Sequence, residues 1–255
     1  MVGHFCRANP GLFWVVPKFG SYESRIVLDQ GKTDINGPHQ GAWVDTPSGE
    51  SWFIHFQDRG AYGRIIHLQP MQWISDWPVI GADSDGNGRG EPVTSFRFPD
   101  IPGRYPVKKP QASDEFGQKW LGLQWQWNAN PQPSWWSLSA RPGVIRLFPG
   151  DLVSGNLWDM PNLLMQKFPA ELFTATALFD PASLSEGNQA GLLAMGLDYA
   201  CAAIRKNGVG WQIRVATCRN ADQGTPETTE EETSAAPNRV HLRVSVTAGA
   251  SCRFS

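Results

Sequence analysis

One segment constrains this chain more than any other: GPHQGAWVDTPSGESWFIHFQDRGAYGRIIHLQPMQWISDWPVIG, from Gly37 to Gly81. GAWVD (Gly41–Asp45) and SWFIHF (Ser51–Phe56) flank TPSGE, a Gly-containing connection that reads as a hairpin. Gly63–Trp73 follows, and its Pro70 predicts a kink or an edge strand. ISD then turns into WPVI. About four antiparallel strands in roughly forty residues are the content of one β-propeller blade. A single blade cannot bury both of its own faces, so its neighbours must be supplied from elsewhere. The residues before it hold at most part of another blade: SRIVL (Ser24–Leu28), ended by the turn formers DQGKTDINGP. The chain therefore reads as incomplete at its N-terminal side.

Beyond the blade, Asp83–Val93 (DSDGNGRGEPV) starts like a calcium-binding loop, with Asp83, Asp85, Asn87 and Gly88 suitably placed. Its twelfth position is Thr94, where a bidentate Glu is needed, so the segment reads as a solvated turn. FPDIPGRYPVKKPQASDEF is a Pro-rich linker, and a boundary near residue 110 divides a first domain, 1–110, from a second, 111–255. The second domain is again a series of short strands, among them GLQWQWN, WWSLSARPGVIRLFP, FTATALFD, AGLLAMGLDYACAAIRK, GWQIRVATC and RVHLRVSVTA. Strands at this spacing predict a sandwich or jelly roll. Met160–Leu172 carries an internal proline that argues against a long helix. Thr225–Ala236, acidic and built of small residues, is expected to be an exposed mobile loop. The last strand stops at CRFS with no closing turn, an open edge that is a second sign of an incomplete chain. The expected fold class is all-β: the last one to two blades of a propeller, then a β-sandwich.

Composition excludes several functions. With 22 basic and 24 acidic residues the net charge is −2, and no Lys/Arg stripe marks a nucleic-acid footprint. No apolar run is long enough to cross a membrane, and the N-terminus lacks the pattern of a signal peptide. Cys6, Cys201, Cys218 and Cys252 are too widely spaced for a zinc site and read as buried thiols, with a Cys201–Cys218 bridge reserved for an oxidising compartment. The twelve tryptophans serve either as core or as platforms for sugar rings, with core the default reading.

The motif GPHQGAWVDT…WFIHFQDRGAYGRIIHLQPMQW…WPVIG resembles the closing part of the five-bladed propeller of glycoside hydrolase family 43, whose members act as β-xylosidases and α-L-arabinofuranosidases. DEFGQKWLGLQWQWNANPQPSWWSLSARPGVIRL resembles the start of the concanavalin A-like sandwich found at the C-terminus of many of them. The resemblance implies hydrolysis with inversion, in which one carboxylate acts as base and another as acid, roughly 6.5–9.5 Å apart to admit water. The family places those carboxylates upstream of the matched motifs, so no residue here is assigned as catalytic. Two positions carry over. His39, in GPHQG, matches a histidine below the sugar in the propeller channel that binds calcium or water around it. Arg64, in AYGRIIHLQ, matches an arginine that donates to the substrate's hydroxyls, a task for fixed, permanently charged donors.

The implied ligand is a xylan- or arabinan-derived oligosaccharide, with calcium at the propeller centre. The implied partner is the missing N-terminal half of the propeller, and the parent enzyme would be secreted or periplasmic, with its signal peptide upstream of Met1. Among the other candidates, His55 and His67 read as packed strand residues, and Asp34, Asp45 and Asp58 match no catalytic position. Trp125, Trp127, Trp135 and Trp136 read as core aromatics. A non-catalytic carbohydrate-binding or propeller-supporting module is the alternative function.

Overall fold

The computed structural model describes residues 4–6, 12–16, 25–35, 40–152 and 154–255. It divides into two compact units, 1–107 and 108–255. Both are built of strands, and no α-helix occurs among the described residues.

In the first unit, β1 (His4–Cys6), β2 (Leu12–Val16) and β3 (Arg25–Asp29) form one antiparallel sheet. β4 (Gly41–Asp45), β5 (Ser51–Asp58), β6 (Arg64–Ile74) and β7 (Trp77–Ile80) form a second, with its strands in chain order, as a propeller blade requires. Because side chains alternate across a strand, the register sorts this blade into two faces. Phe53, Met71 and Ile80 lie on one and bury against Val27 and Leu28 of β3. Val44, Ile54, Ile66 and Leu68 lie on the other and are 43, 37, 66 and 44% exposed. Gly41 begins the blade because a Cβ there would stand 2.4 Å from the ring of Phe53.

Pro70 neither kinks β6 nor makes it an edge. β6 pairs with β5 on one side and with β7 on the other. The Pro70 carbonyl accepts from Gly81 N at 2.7 Å, so its nitrogen also faces that side, just where β7 has ended at Ile80. The missing N–H would have met no ladder partner, and the usual objection to an internal proline lapses. After β7 the chain folds back through a bridge between Ala82 and Glu91, and the loop it closes carries Asp83 and Asp85.

In the second unit, β8 (Gln126–Trp127) pairs with β11 (Leu164–Met165), and β9 (Trp136–Ser137) with β10 (Arg146–Leu147). β12 (Phe173–Phe179), β17 (Val240–Thr247) and β18 (Ser251–Phe254) form a three-stranded sheet. β13 (Gln189–Ala194), β14 (Tyr199–Asn207), β15 (Gly210–Cys218) and β16 (Thr228–Ala235) form a four-stranded one. The three-stranded sheet alternates cleanly. Leu242, Val244 and Val246 are buried, while Arg243 and Ser245 reach Thr176 and Thr174 on the exposed face.

Residues 225–236 are therefore not the mobile loop that their composition predicts, since most of them form the edge strand β16. Nearly every side chain of β16 is exposed, so it needs no apolar residues. Threonine suits an extended backbone, and a row of glutamates keeps an open edge from pairing with other chains.

Candidate functional site

Arg64 opens β6 directly after a tight connection. Gly63 takes φ 79°, and Arg59 N donates to Gly63 O at 2.8 Å, closing the β5–β6 turn. The register sets Arg64 opposite Asp58, and Asp58 Oδ1 accepts from Gly60 N at 2.9 Å. The Arg64 guanidinium lies over the Phe56 ring, 4.7 Å from its centroid, and its side chain remains exposed. An aromatic face steers a cation while leaving the guanidinium edges free to donate, which suits the binding of hydroxyl groups. His39 lies outside the described residues.

On the opposite face of β5 and β6 is a polar group that sequence reading passed over. His55 is 2% exposed and stacks on His67 across the ladder, with ring centroids 5.3 Å apart. His67 Nε2 lies 3.2 Å from Gln57 Oε1, and Gln57 Nε2 donates to the Asp34 carbonyl at 2.5 Å. His55 Nδ1 lies 3.4 Å from the Phe56 carbonyl, and His55 Nε2 is buried with no hydrogen-bond partner. Burial pushes the His55 pKa down to about 4. Burial also lowers that of His67, against the opposing pull of the Asp34 carboxylate. Both rings are therefore neutral at pH 7. The alternation of Phe53, His55 and Gln57 along β5 was the available signal, since every second residue of a strand shares a face.

The other candidate carboxylates of this unit are occupied locally. Asp45 Oδ1 accepts from Trp43 Nε1 at 2.7 Å and from Ser51 Oγ at 2.8 Å, and Asp34 pairs with Arg59 at 3.9 Å. Calcium takes six to eight oxygen ligands, and no three His, Cys, Asp or Glu side chains converge on a metal among the described residues. Asp83 and Asp85 accept instead from the backbone of Asn87 and Gly88.

In the second unit Trp125, Trp127, Trp135 and Trp136 are half-buried rather than core, and Trp120 is exposed. Trp127 packs against Trp135 and Trp136, and Trp125 Nε1 donates to Asp114 at 2.8 Å. The buried polar centre lies in the four-stranded sheet. Glu227 accepts from Tyr199 OH at 2.7 Å and from Arg214 Nη1 at 2.8 Å, and Arg214 Nε donates to Thr229. This group satisfies itself and fixes the sheet beneath the segment of Asn156–Trp158, where Tyr199 OH also accepts from Leu157 N. Cys201 and Cys218 are both buried free thiols.

Residues 113–255 match the family described as the β-xylosidase C-terminal concanavalin A-like domain. A protein of Xylanibacter ruminicola, provisionally named a β-xylosidase, is 41% identical over 193 residues, which are 75% of this chain and 35% of that protein. A β-xylosidase of Formosa agariphila is 34% identical over 203 residues, 70% of this chain and 34% of its own length. Among solved structures, a bifunctional GH43-CE protein of Bacteroides eggerthii superposes with a TM-score of 0.75 at 27% identity, covering 99% of this chain and 33% of that one. The chain thus spans about a third of the length of the curated relatives it matches. With a match over more than half its residues and these relatives beside it, the chain belongs to glycoside hydrolase family 43 and carries the concanavalin A-like domain over residues 113–255.

Proposed function

We infer that this chain is the C-terminal part of a hemicellulose-cleaving glycosidase that acts on xylosides or arabinosides with inversion. It contributes one wall of the substrate pocket, with Arg64 donating to the sugar's hydroxyls, while the catalytic carboxylates reside on propeller blades outside this chain. The observation that carries this reading is the blade's apolar face: Val44, Ile54, Ile66 and Leu68 stand side by side and exposed, as they would where another blade packs. The local engagement of Asp34, Asp45 and Asp58 supports leaving them out of catalysis. Acid and base groups each contribute typically ~10²–10⁴-fold, so loss of either removes most of the chemistry.

The test is complementation. The 255-residue chain alone is expected to be inactive on aryl xylosides and arabinosides. Co-expression with the N-terminal propeller portion of the Xylanibacter ruminicola relative is expected to restore turnover. Carboxylate-dependent turnover by the pure chain would overturn the reading.

A further inference from the structure

The four-stranded sheet of the second unit has one apolar and one polar face. Ala190, Leu192, Ala202, Ile204, Ile213 and Val215 share the apolar face by register. On the other face, Gln189 of β13 stands directly opposite Arg205 of β14, Arg205 opposite Gln212 of β15, and Gln212 opposite Ser234 of β16. Four polar side chains thus form a single row across all four strands.

The donors in this row are unused. Arg205 Nε is buried with no hydrogen-bond partner. The Gln189 side chain is engaged only through Oε1, with Arg214 at 3.5 Å, and the Gln212 side chain only through Oε1, with Asn207 Nδ2. Both amide nitrogens are left over. A buried N–H without an acceptor costs about 1–3 kcal/mol, while the Arg205 side chain as a whole is 35% exposed and Gln189 and Gln212 are half-buried, so the rest of the row is open to a ligand. Beside the row, Gly191 and Ala203 face each other and lower the surface. Gly191 cannot carry a side chain, since its Cβ would stand 2.1 Å from the Ala202 carbonyl. The recess is bounded at its far side by Arg214, held at 2.8 Å by Glu227.

We propose that this row is a binding site for a neutral oligosaccharide, lying across the strands with its hydroxyls accepting from Gln189, Arg205 and Gln212. Strands lie about 4.8 Å apart, close to the length of one pyranose residue, so successive donors meet successive sugar units. The charges of the patch balance. Arg214 is paired with Glu227, and Arg205 lies 3.7 Å from Glu232, which favours a neutral ligand over an anion. No aromatic ring shares the row. The site therefore holds its ligand by hydrogen bonds alone and is weak and dependent on several adjacent sugars. The pentose class of the sugar rests on the glycosidase reading; the row of donors does not.

The full 255-residue chain is titrated with xylohexaose by calorimetry and run in gels containing soluble neutral arabinoxylan. Retardation is expected for the unmodified chain, with affinity reduced at least fivefold in Arg205→Met and in Gln212→Ala. Gln72→Ala, an exposed position of β6 in the other unit, is expected to bind as the unmodified chain does. Circular dichroism and the melting temperature identify any variant that fails to fold, and the two substitutions check each other. Absence of binding by the unmodified chain, or binding unchanged in both sheet variants, overturns the site. Loss of binding only in Arg64→Ala also overturns it and leaves the pocket reading standing. Failure of complementation with retardation intact would sink the glycosidase reading and not this site.

Discussion

His55 and His67 stack across the β5–β6 ladder with their planes 22° apart, and His55 has one ring nitrogen buried without a partner. The arrangement works only while both rings are neutral. His55 faces Phe53, Gln57 and His67, and His67 in turn is reached by Asp34 and Arg59.

This pair makes the blade sensitive to acid. The pKa of His55 is depressed from 6.5 to about 4 in the folded chain, so the unfolded chain binds the proton more readily. Stability from this group is fully present above pH 6.5 and declines as pH falls toward about 4, by roughly 2–3 kcal/mol over the full range. His67 shifts in the same direction and adds to the effect. Denaturant melts at pH 7.5 and 4.5 should show the loss. His55→Phe, which removes the orphan nitrogen and the titration together, should flatten the dependence while leaving stability at pH 7.5 unchanged or higher.

The Tyr199–Glu227–Arg214 group makes the opposite kind of prediction, since it is satisfied and nearly buried. Burial, and then the adjacent Glu227 carboxylate, hold the Tyr199 phenol protonated well above its ordinary range, so it stays a donor at every working pH. Glu227→Ala leaves a buried guanidinium without its partner and should cost about 3–5 kcal/mol. Tyr199→Phe removes one neutral donor and should cost about 1–2 kcal/mol. Urea melts of the two variants should keep this order. Equal costs would mean that the ion pair is solvated and contributes little.

Where sequence reading succeeded and failed has a common cause. Strand positions were legible because alternation is local: Phe53, His55 and Gln57 announce a face within five residues. What Pro70 does depends on which neighbour its nitrogen faces and where that neighbour stops, which is information held by β7. β16 was misread because an edge strand exposed on both faces has no apolar periodicity to reveal it. The Phe56 ring beneath the Arg64 guanidinium was not legible, since their contact crosses a hairpin. The Gln189–Arg205–Gln212 row needs two cross-strand registers at once.

The return of the chain after β7 depends on two glycines. Gly81 takes φ 81°, and a Cβ on it would lie 1.9 Å from the Glu91 carbonyl oxygen; on Gly90 a Cβ would lie 1.8 Å from the Ile80 carbonyl oxygen. Both obstacles are backbone and cannot swing aside. Gly81→Ala adds a left-handed backbone penalty to the clash and should cost more than about 3 kcal/mol. Gly49, with φ 85° but nothing within 4 Å, is the control. Its alanine variant should lose only about 1 kcal/mol.

The exposed blade face supplies a final test that separates folding from assembly. Ile66 is 66% exposed, stands opposite Phe56, and lies next along the same face to the Ile54–Leu68 pair. Within the chain alone, Ile66→Glu exchanges an exposed apolar group for a charge and should change stability by less than about 0.5 kcal/mol, while raising solubility. In the co-expressed pair the same carboxylate would be buried without a partner, at a cost of several kcal/mol. Complementation should therefore fail for Ile66→Glu and persist for Ile66→Val. If Ile66→Glu complements as well as the unmodified chain, this face is not where the rest of the propeller packs, and the blade meets its neighbours in some other way.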